Sequence, residues 1–237
     1  MRIAIVGAGI GGLCAAIGLQ RGGADVVVYE RAEQIKPVGS GLSVFANGTA
    51  ALDAIGVGDG FRDITTTQMT HLRGGQRTPD GSWLATIPAA SLTDLRIVHR
   101  ADLHDLLVGA LSPGTLTLGA EVLKTCADGK IVVRQNGRRT EGKFDLIVAA
   151  DGIRSAVRQS WPGDPGLRYS GYSTWRGVTS TPVDLRGAAG ETWGSGLRFG
   201  LAPLRDGRVY WFAVATMPSD AVFDDEFVQV RRLFDGW

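Results

Sequence analysis

The chain has 237 residues, with 25 Lys and Arg against 24 Asp and Glu, for a net charge of +1. Apolar residues make up 44% and charged residues 21%, a globular balance that excludes a disordered or fibrous chain. Without a basic surplus, nucleic acid is not an expected partner.

The 34 glycines, about twice the usual share, point to a backbone rich in turns. Length allows one large domain or two small ones. Of the basic residues 21 are Arg, which fits genome composition as well as anion recognition. Cys14 and Cys126 lie far apart with no CxxC spacing, so a reducing, cytoplasmic setting is expected. The apolar stretch 3–19 after Arg2 resembles a signal peptide, yet Gly7, Gly9, Gly11 and Gly12 interrupt it and no small-residue cleavage site closes it. No apolar run is long enough to span a bilayer, and neither targeting nor membrane segments are expected.

Residues 2–6 read as a strand, Gly7-Ala8-Gly9-Ile10-Gly11-Gly12 as a tight turn, and 13–21 as a helix with small and apolar residues at helical spacing. A second strand over 24–29 ends in Glu30, 18 positions after Gly12, close to the spacing of a ribose-binding acid. Gly7 allows the turn, Gly9 lets a pyrophosphate approach the backbone, and Gly12 lets helix pack on strand with its N-terminal amides toward the phosphates. The unit predicts dinucleotide binding without separating FAD from NAD. Glu30 opposes a 2′-phosphate, and Arg31 weakens that argument.

The stretch 37–43 is Gly-rich and reads either as a loop flanking a cofactor, with Ser43 offering a hydroxyl, or as an ordinary surface loop. Asn47 is placed to cap a helix running to about Ile55. Strands are expected over 68–73 and 83–87, joined by the turn Pro79-Asp80-Gly81-Ser82, and over 96–98. From His99 a helix begins whose Leu103, Leu106, Leu107 and Leu111 form one apolar face. Short strands follow over 116–118, 121–125 and 131–134, with Asn136-Gly137 as a hairpin turn. The run 144–150 is a buried strand ending at Asp151-Gly152, before a helix containing Ser155 and Arg158. That strand is expected to return to the first sheet. Residues 169–179, 192–201 and 208–216 read as three aromatic-rich strands, and 225–234 as an amphipathic helix.

The fold class is therefore α/β: a Rossmann-like domain with an antiparallel insertion, plus a mostly antiparallel β-sheet domain. The first is expected over 1–70 and 95–165, the second over 71–94 and 166–237.

Three motifs, Gly7–Gly12 with Glu30, the Arg100 segment, and Asp151-Gly152-Ile153-Arg154-Ser155-Ala156-Val157-Arg158, resemble the single-component FAD-dependent aromatic hydroxylases related to para-hydroxybenzoate, salicylate and urate hydroxylases. The resemblance runs along the whole chain. It implies that Gly7, Gly9, Gly11, Gly12, Glu30 and Arg31 belong to the FAD site, with Glu30 on the adenosine ribose and Ser43 beside the flavin. It further implies that Arg100 reaches the phosphate and ribityl region, that Val122 lies on the adenine side, and that Asp151 touches flavin and the transient nicotinamide donor. From the residues alone, Arg100 is also an ordinary helix start and Asp151 an N-cap. The segments 169–177, 198–200 and 207–212 resemble the substrate sheet of the urate and salicylate branch. Strand alternation puts Tyr210 and Phe212 on one face and Trp211 on the other. Arg198 and Tyr210 are the candidate catalytic-site contacts to an anionic aromatic substrate, with aromatic core packing and a surface Arg as the alternative.

The implied chemistry is NAD(P)H reduction of FAD, capture of O2 as a flavin hydroperoxide and hydroxylation of an electron-rich ring, with no metal and no nucleophilic Ser or Cys. His71, His99 and His104 show no zinc spacing and read mostly as surface or capping residues. A related epoxidase shares the Asp-Gly motif, whereas the Trp-x-Trp-x-Ile-Pro segment of halogenases is absent. The family's downstream Gly-Asp cofactor motif and C-terminal helix lie beyond Trp237. The resemblance thus implies a truncated chain, weaker flavin binding, an exposed apolar face on the first sheet that favours a homodimer or poor solubility, and a non-catalytic FAD-binding remnant as the rival reading.

Overall fold

The computed structural model describes residues 1–35 and 40–237. In chain order its elements begin with β1 (Arg2–Val6), α1 (Ile10–Arg21), β2 (Asp25–Tyr29), β3 (Gly41–Val44), α2 (Ala46–Ala54), α3 (Gly58–Asp63) and β4 (Thr65–Thr66). After a 3-10 turn (Gln68–His71) come β5 (Arg73–Arg77) and β6 (Trp83–Ile87), then a second 3-10 turn (Ala89–Leu92), β7 (Arg96–His99) and α4 (Arg100–Gly109). The middle of the chain forms β8 (Leu116–Thr117), β9 (Ala120–Thr125), β10 (Lys130–Gln135), β11 (Arg138–Lys143), β12 (Leu146–Ala149) and α5 (Ala156–Gln159). The last segment holds β13 (Tyr172–Val178), β14 (Ala188–Gly194), β15 (Leu197–Pro203), β16 (Val209–Thr216) and α6 (Glu226–Leu233).

The chain folds as two compact units: Met1–Pro37, Ala50–Phe61 and Leu103–Arg168 form one, and Val38–Thr49, Arg62–Asp102 and Tyr169–Trp237 the other. Packing thus draws 38–49, 62–70 and 95–102 into the second unit, where β3, β7 and β4 make a small antiparallel sheet of their own.

The first unit is built on a parallel sheet ordered β12-β1-β2-β8. Residues 3–6 of β1 are all buried, the unbroken apolar pattern of a strand covered on both faces. Ala4 and Val6 join Val122, Ile131, Val133 and Phe144 in a core shared with the β9-β10-β11 meander. The meander's β10–β11 turn is Asn136-Gly137, with φ +50° and +73°, the conformation a two-residue hairpin requires. Exposure in this sheet concentrates on β12, where Leu146 is 44% exposed.

The second unit carries a six-stranded sheet ordered β13-β16-β15-β14-β5-β6, antiparallel except for the β14–β5 pair. Register puts Tyr210, Phe212 and Arg198 on one face, because Tyr210 pairs with Ala202, Phe212 with Gly200, and Arg198 with Val214. Trp211 turns to the opposite face and stacks on Phe199, 5.9 Å between centroids, as alternation requires. Phe234, just past α6, meets Phe199 edge-on at 5.3 Å. Asp225 caps α6 by accepting from the N–H groups of Phe227 and Val228.

Several elements differ from the sequence pattern. Residues 68–71 form a 3-10 turn instead of a strand, because the Gln68 N–H bonds the Thr66 hydroxyl and Thr70 turns back on Thr67. The strand lies at Arg73–Arg77, where Gly75 at φ +149° pairs with Gly190 at φ +116°; an added Cβ on Gly190 would sit 2.3 Å from the Gly75 carbonyl oxygen. Only glycine fits that approach. The expected single strand over 192–201 is two, broken by a Ser195-Gly196 turn with Gly196 at φ +68°. Asn47 lies inside α2, which begins at Ala46. Ser155 is the cap of α5, accepting from the Arg158 N–H at 3.0 Å, and so precedes the helix. Of the Gly-rich stretch 37–43, residues 37–39 lie outside the described residues, and Gly41–Val44 is a strand.

Candidate functional site

The Gly-rich turn follows β1, and its four glycines answer two different demands. Gly7 stands at φ +101°, and a Cβ there would meet the Ala150 carbonyl oxygen at 2.6 Å. Gly12 lies in the first turn of α1, where a Cβ would come within 2.0 Å of the Gly7 carbonyl oxygen. Those two are imposed by the chain's own packing. Gly9 and Gly11 are different: an added Cβ on either would meet nothing within 4 Å. Gly9 is the N-cap of α1, has no side chain to bond the free amides behind it, and no acidic residue stands in the first turn. The positive end of the helix dipole is left uncovered.

Beside this turn runs a groove of about 230 Å³, lined by Gly7, Gly9, Tyr29, Glu30, Arg31, Glu121, Val122, Asp151 and Arg154 among others. Glu30 is fixed at both ends of its carboxylate: Oε2 accepts from the Ala8 N–H and Oε1 from the Ala32 N–H, both at 2.9 Å. Each oxygen keeps a further lone pair for a ligand hydroxyl. Asp151 accepts from the Val157 N–H through Oδ2 at 3.3 Å, while its buried Oδ1 has no protein partner. A buried carboxylate oxygen without a donor is costly unless a ligand or water supplies one. Val122 gives the groove an apolar wall, and the exposed Arg31 and Arg154 supply cations. Burial pushes the Tyr29 phenol above its ordinary pKa, against the opposing charge of Arg2.

Gly7, Gly9, Glu30, Arg31, Val122 and Asp151 therefore share one groove, with Gly11 and Gly12 in the adjoining helical turn. Ser43, Arg100, Arg198 and Tyr210 belong to the second unit. Ser43 is exposed on β3 opposite Ile97. Arg100 opens α4, and its backbone N–H donates to the Ser40 carbonyl at 2.8 Å. Tyr210 is 6% exposed within the core cluster of Met69, Leu92 and Ile97, and its ring fills the space where a Cβ on Gly41 would lie. The half-buried Arg198 lies between the rings of Tyr172 and Trp193.

Sequence reasoning missed Tyr29, Glu121 and Arg154 in the groove. Two carried a signal: Tyr29 directly precedes Glu30, and Arg154 lies inside the Asp-Gly motif. It also missed His104, whose Nε2 bonds the Ala8 carbonyl oxygen at 2.7 Å and so braces the Gly-rich turn from 96 residues away.

The chain as a whole is similar to known proteins. The family described as FAD binding domain matches residues 1–229. An aurachin C monooxygenase/isomerase from Stigmatella aurantiaca is 34% identical over 100% of this chain and 63% of its own length. An FAD-dependent urate hydroxylase from Klebsiella pneumoniae is 33% identical over 100% of this chain and 64% of its own. A crystal structure of Klebsiella pneumoniae HpxO complexed with FAD and uric acid matches with a TM-score of 0.85 at 28% identity, covering 100% of this chain and 62% of that one. The chain thus spans slightly under two thirds of the length of these relatives. The family match, the fold and the relatives agree, and the chain belongs to the FAD-binding-domain family that includes the flavoprotein monooxygenases and aromatic hydroxylases.

Proposed function

We propose that this chain is the FAD-binding and substrate-sheet part of a monooxygenase that hydroxylates an anionic aromatic or heteroaromatic ring with NAD(P)H and O2. The observation that carries the reading is the pair Gly9 and Gly11, whose missing side chains leave open space that the protein's own packing does not require. A pyrophosphate is the ligand class such a helix N-terminus takes. FAD, when bound, supplies the redox chemistry and oxygen activation. The α1 amides would hold its phosphates, Glu30 its ribose hydroxyls, and Val122 the adenine side. Asp151 Oδ1 would accept a hydrogen bond from the cofactor or from the transient nicotinamide donor, and Arg31 would offset phosphate charge. Ser43 and Arg100 are assigned to the flavin and ribityl region. On the six-stranded sheet, Arg198 would hold the substrate anion and Tyr210 orient it. We place the chain in the cytoplasm; none of its described helices is long and apolar enough to cross a membrane.

A second reading, an FAD-binding remnant without turnover, is supported by the groove lying wholly within the first unit. The visible spectrum with and without added FAD, followed by NAD(P)H oxidation with phenols and purines, separates the two. Bound flavin with substrate-stimulated oxidation supports the hydroxylase. Bound flavin with no stimulation supports the remnant, and failure to take up FAD overturns both.

A further inference from the structure

Arg198 faces Trp193 directly across the β14–β15 pair, and Glu191 stands on the same face two pairs along, opposite Gly200. Diagonal neighbours of this kind are within reach of long side chains. Register therefore makes Glu191 the carboxylate best placed to neutralise Arg198. Instead, Glu191 Oε2 accepts the indole N–H of Trp193 at 2.6 Å. The Arg198 guanidinium carbon lies 5.8 Å from the ring centres of both Trp193 and Tyr172. No carboxylate among the described residues forms an ion pair with it.

We propose that Trp193 is a positioning residue for substrate binding: its indole N–H holds Glu191 away, and its ring flanks the guanidinium, so that the Arg198 charge stays available to an aromatic anion. This rests on the reading of Arg198 as a substrate contact. An aromatic flank is also a weaker competitor than a carboxylate, because a ring quadrupole attracts the cation without cancelling its charge. The arrangement selects for a planar anion over its neutral isostere.

The test uses Trp193→Phe, which keeps a ring and removes the donor, with salicylate as the anionic probe and salicylamide as the neutral one. Released from Trp193, Glu191 turns to Arg198, and salicylate affinity measured by calorimetry falls roughly fivefold, the scale of a partly exposed ion pair. Salicylamide binding stays unchanged, and the double variant Trp193→Phe/Glu191→Gln regains the parent's salicylate affinity. A merely structural Trp193 would weaken both probes and would not be rescued. Parent-like salicylate binding by Trp193→Phe, or a double variant that stays weak, overturns the proposal. If the parent chain binds salicylate and Arg198→Met binds it equally well, the reading of Arg198 itself is lost. If the parent binds neither probe, the crystal structure of Trp193→Phe decides: a Glu191 carboxylate within 4 Å of the Arg198 guanidinium supports the inference, and one left in place overturns it.

Discussion

The groove of the first unit and the Arg198 face of the second unit's sheet are made from different materials. The groove is mostly backbone: uncovered helix amides, glycines with nothing beside them, and a glutamate pinned by two N–H groups. The sheet face is mostly side chain, with the Arg198 guanidinium set near the rings of Tyr172 and Trp193, while the sheet ladder occupies the backbone groups. A backbone site recognises what every ligand of its class shares, such as a pyrophosphate, and tolerates little change. A side-chain site can be retuned by single substitutions while the sheet beneath stays intact.

The largest test of that contrast is within the turn itself. Gly12→Ala forces a methyl group to within 2.0 Å of a carbonyl oxygen, and urea denaturation should show a loss of about 3 kcal/mol or unfolding outright. A Cβ at Gly9 meets nothing within 4 Å in the protein, so Gly9→Val should fold and yet fail to take up FAD, read from the flavin absorbance. Unchanged flavin content in a folded Gly9→Val chain would refute the assignment of the groove. Next in size is Glu30→Gln. It keeps one acceptor oxygen and turns the other into an NH2 group facing a backbone N–H, so one of the two hydrogen bonds is lost, and we expect about 1–2 kcal/mol less stability together with weaker FAD binding.

On the sheet face the expected order reverses. Arg198→Met should change the unfolding midpoint little, within about 0.5 kcal/mol for a half-exposed side chain, while substrate-stimulated NAD(P)H oxidation drops at least about tenfold from the loss of a charged contact. A large stability loss with unaltered stimulation would make Arg198 a packing residue. The smallest effect is on pH. Because burial raises the Tyr29 pKa in the folded chain, the unfolded chain loses its phenolic proton first. The resulting stability is fully present below about pH 10 and fades as pH rises through the folded value. Tyr29→Phe should flatten that part of the alkaline unfolding curve.

The two regions also differ in how far the amino-acid order exposes them. The turn after β1 could be read because its chemistry is local: six residues carry the glycines, and the acid follows at a spacing set by one helix and one strand. The same locality made the Asn136-Gly137 hairpin legible. Where the cause is distant, the pattern was silent. His104 supports Ala8 from a helix 96 residues on, and nothing near either position announces it. The strand Arg73–Arg77 was missed because glycine discourages strands, yet a Cβ on Gly75 would meet the Ala85 carbonyl oxygen of β6 at 2.1 Å, and β14, more than 100 residues later, approaches it through a second glycine, Gly190. The Ser195-Gly196 turn was hidden within a run of strand-forming residues. The contact of Trp193 with Glu191 lies within one strand, but its bearing on Arg198 follows from a β14–β15 register that no single segment contains.

The parallel pair of β5 and β14 bears on how the protein is made. On the ribosome, the β5–β6 hairpin emerges long before its partner strand exists, with Leu84 and Ile87 on an edge that the finished sheet still leaves open. The second unit cannot close until β14 to β16 have been synthesised, so its folding is expected to be slow, while β1, α1 and β2 can associate early. Expression yield should therefore respond to chaperone supply and growth temperature more strongly than final stability would suggest.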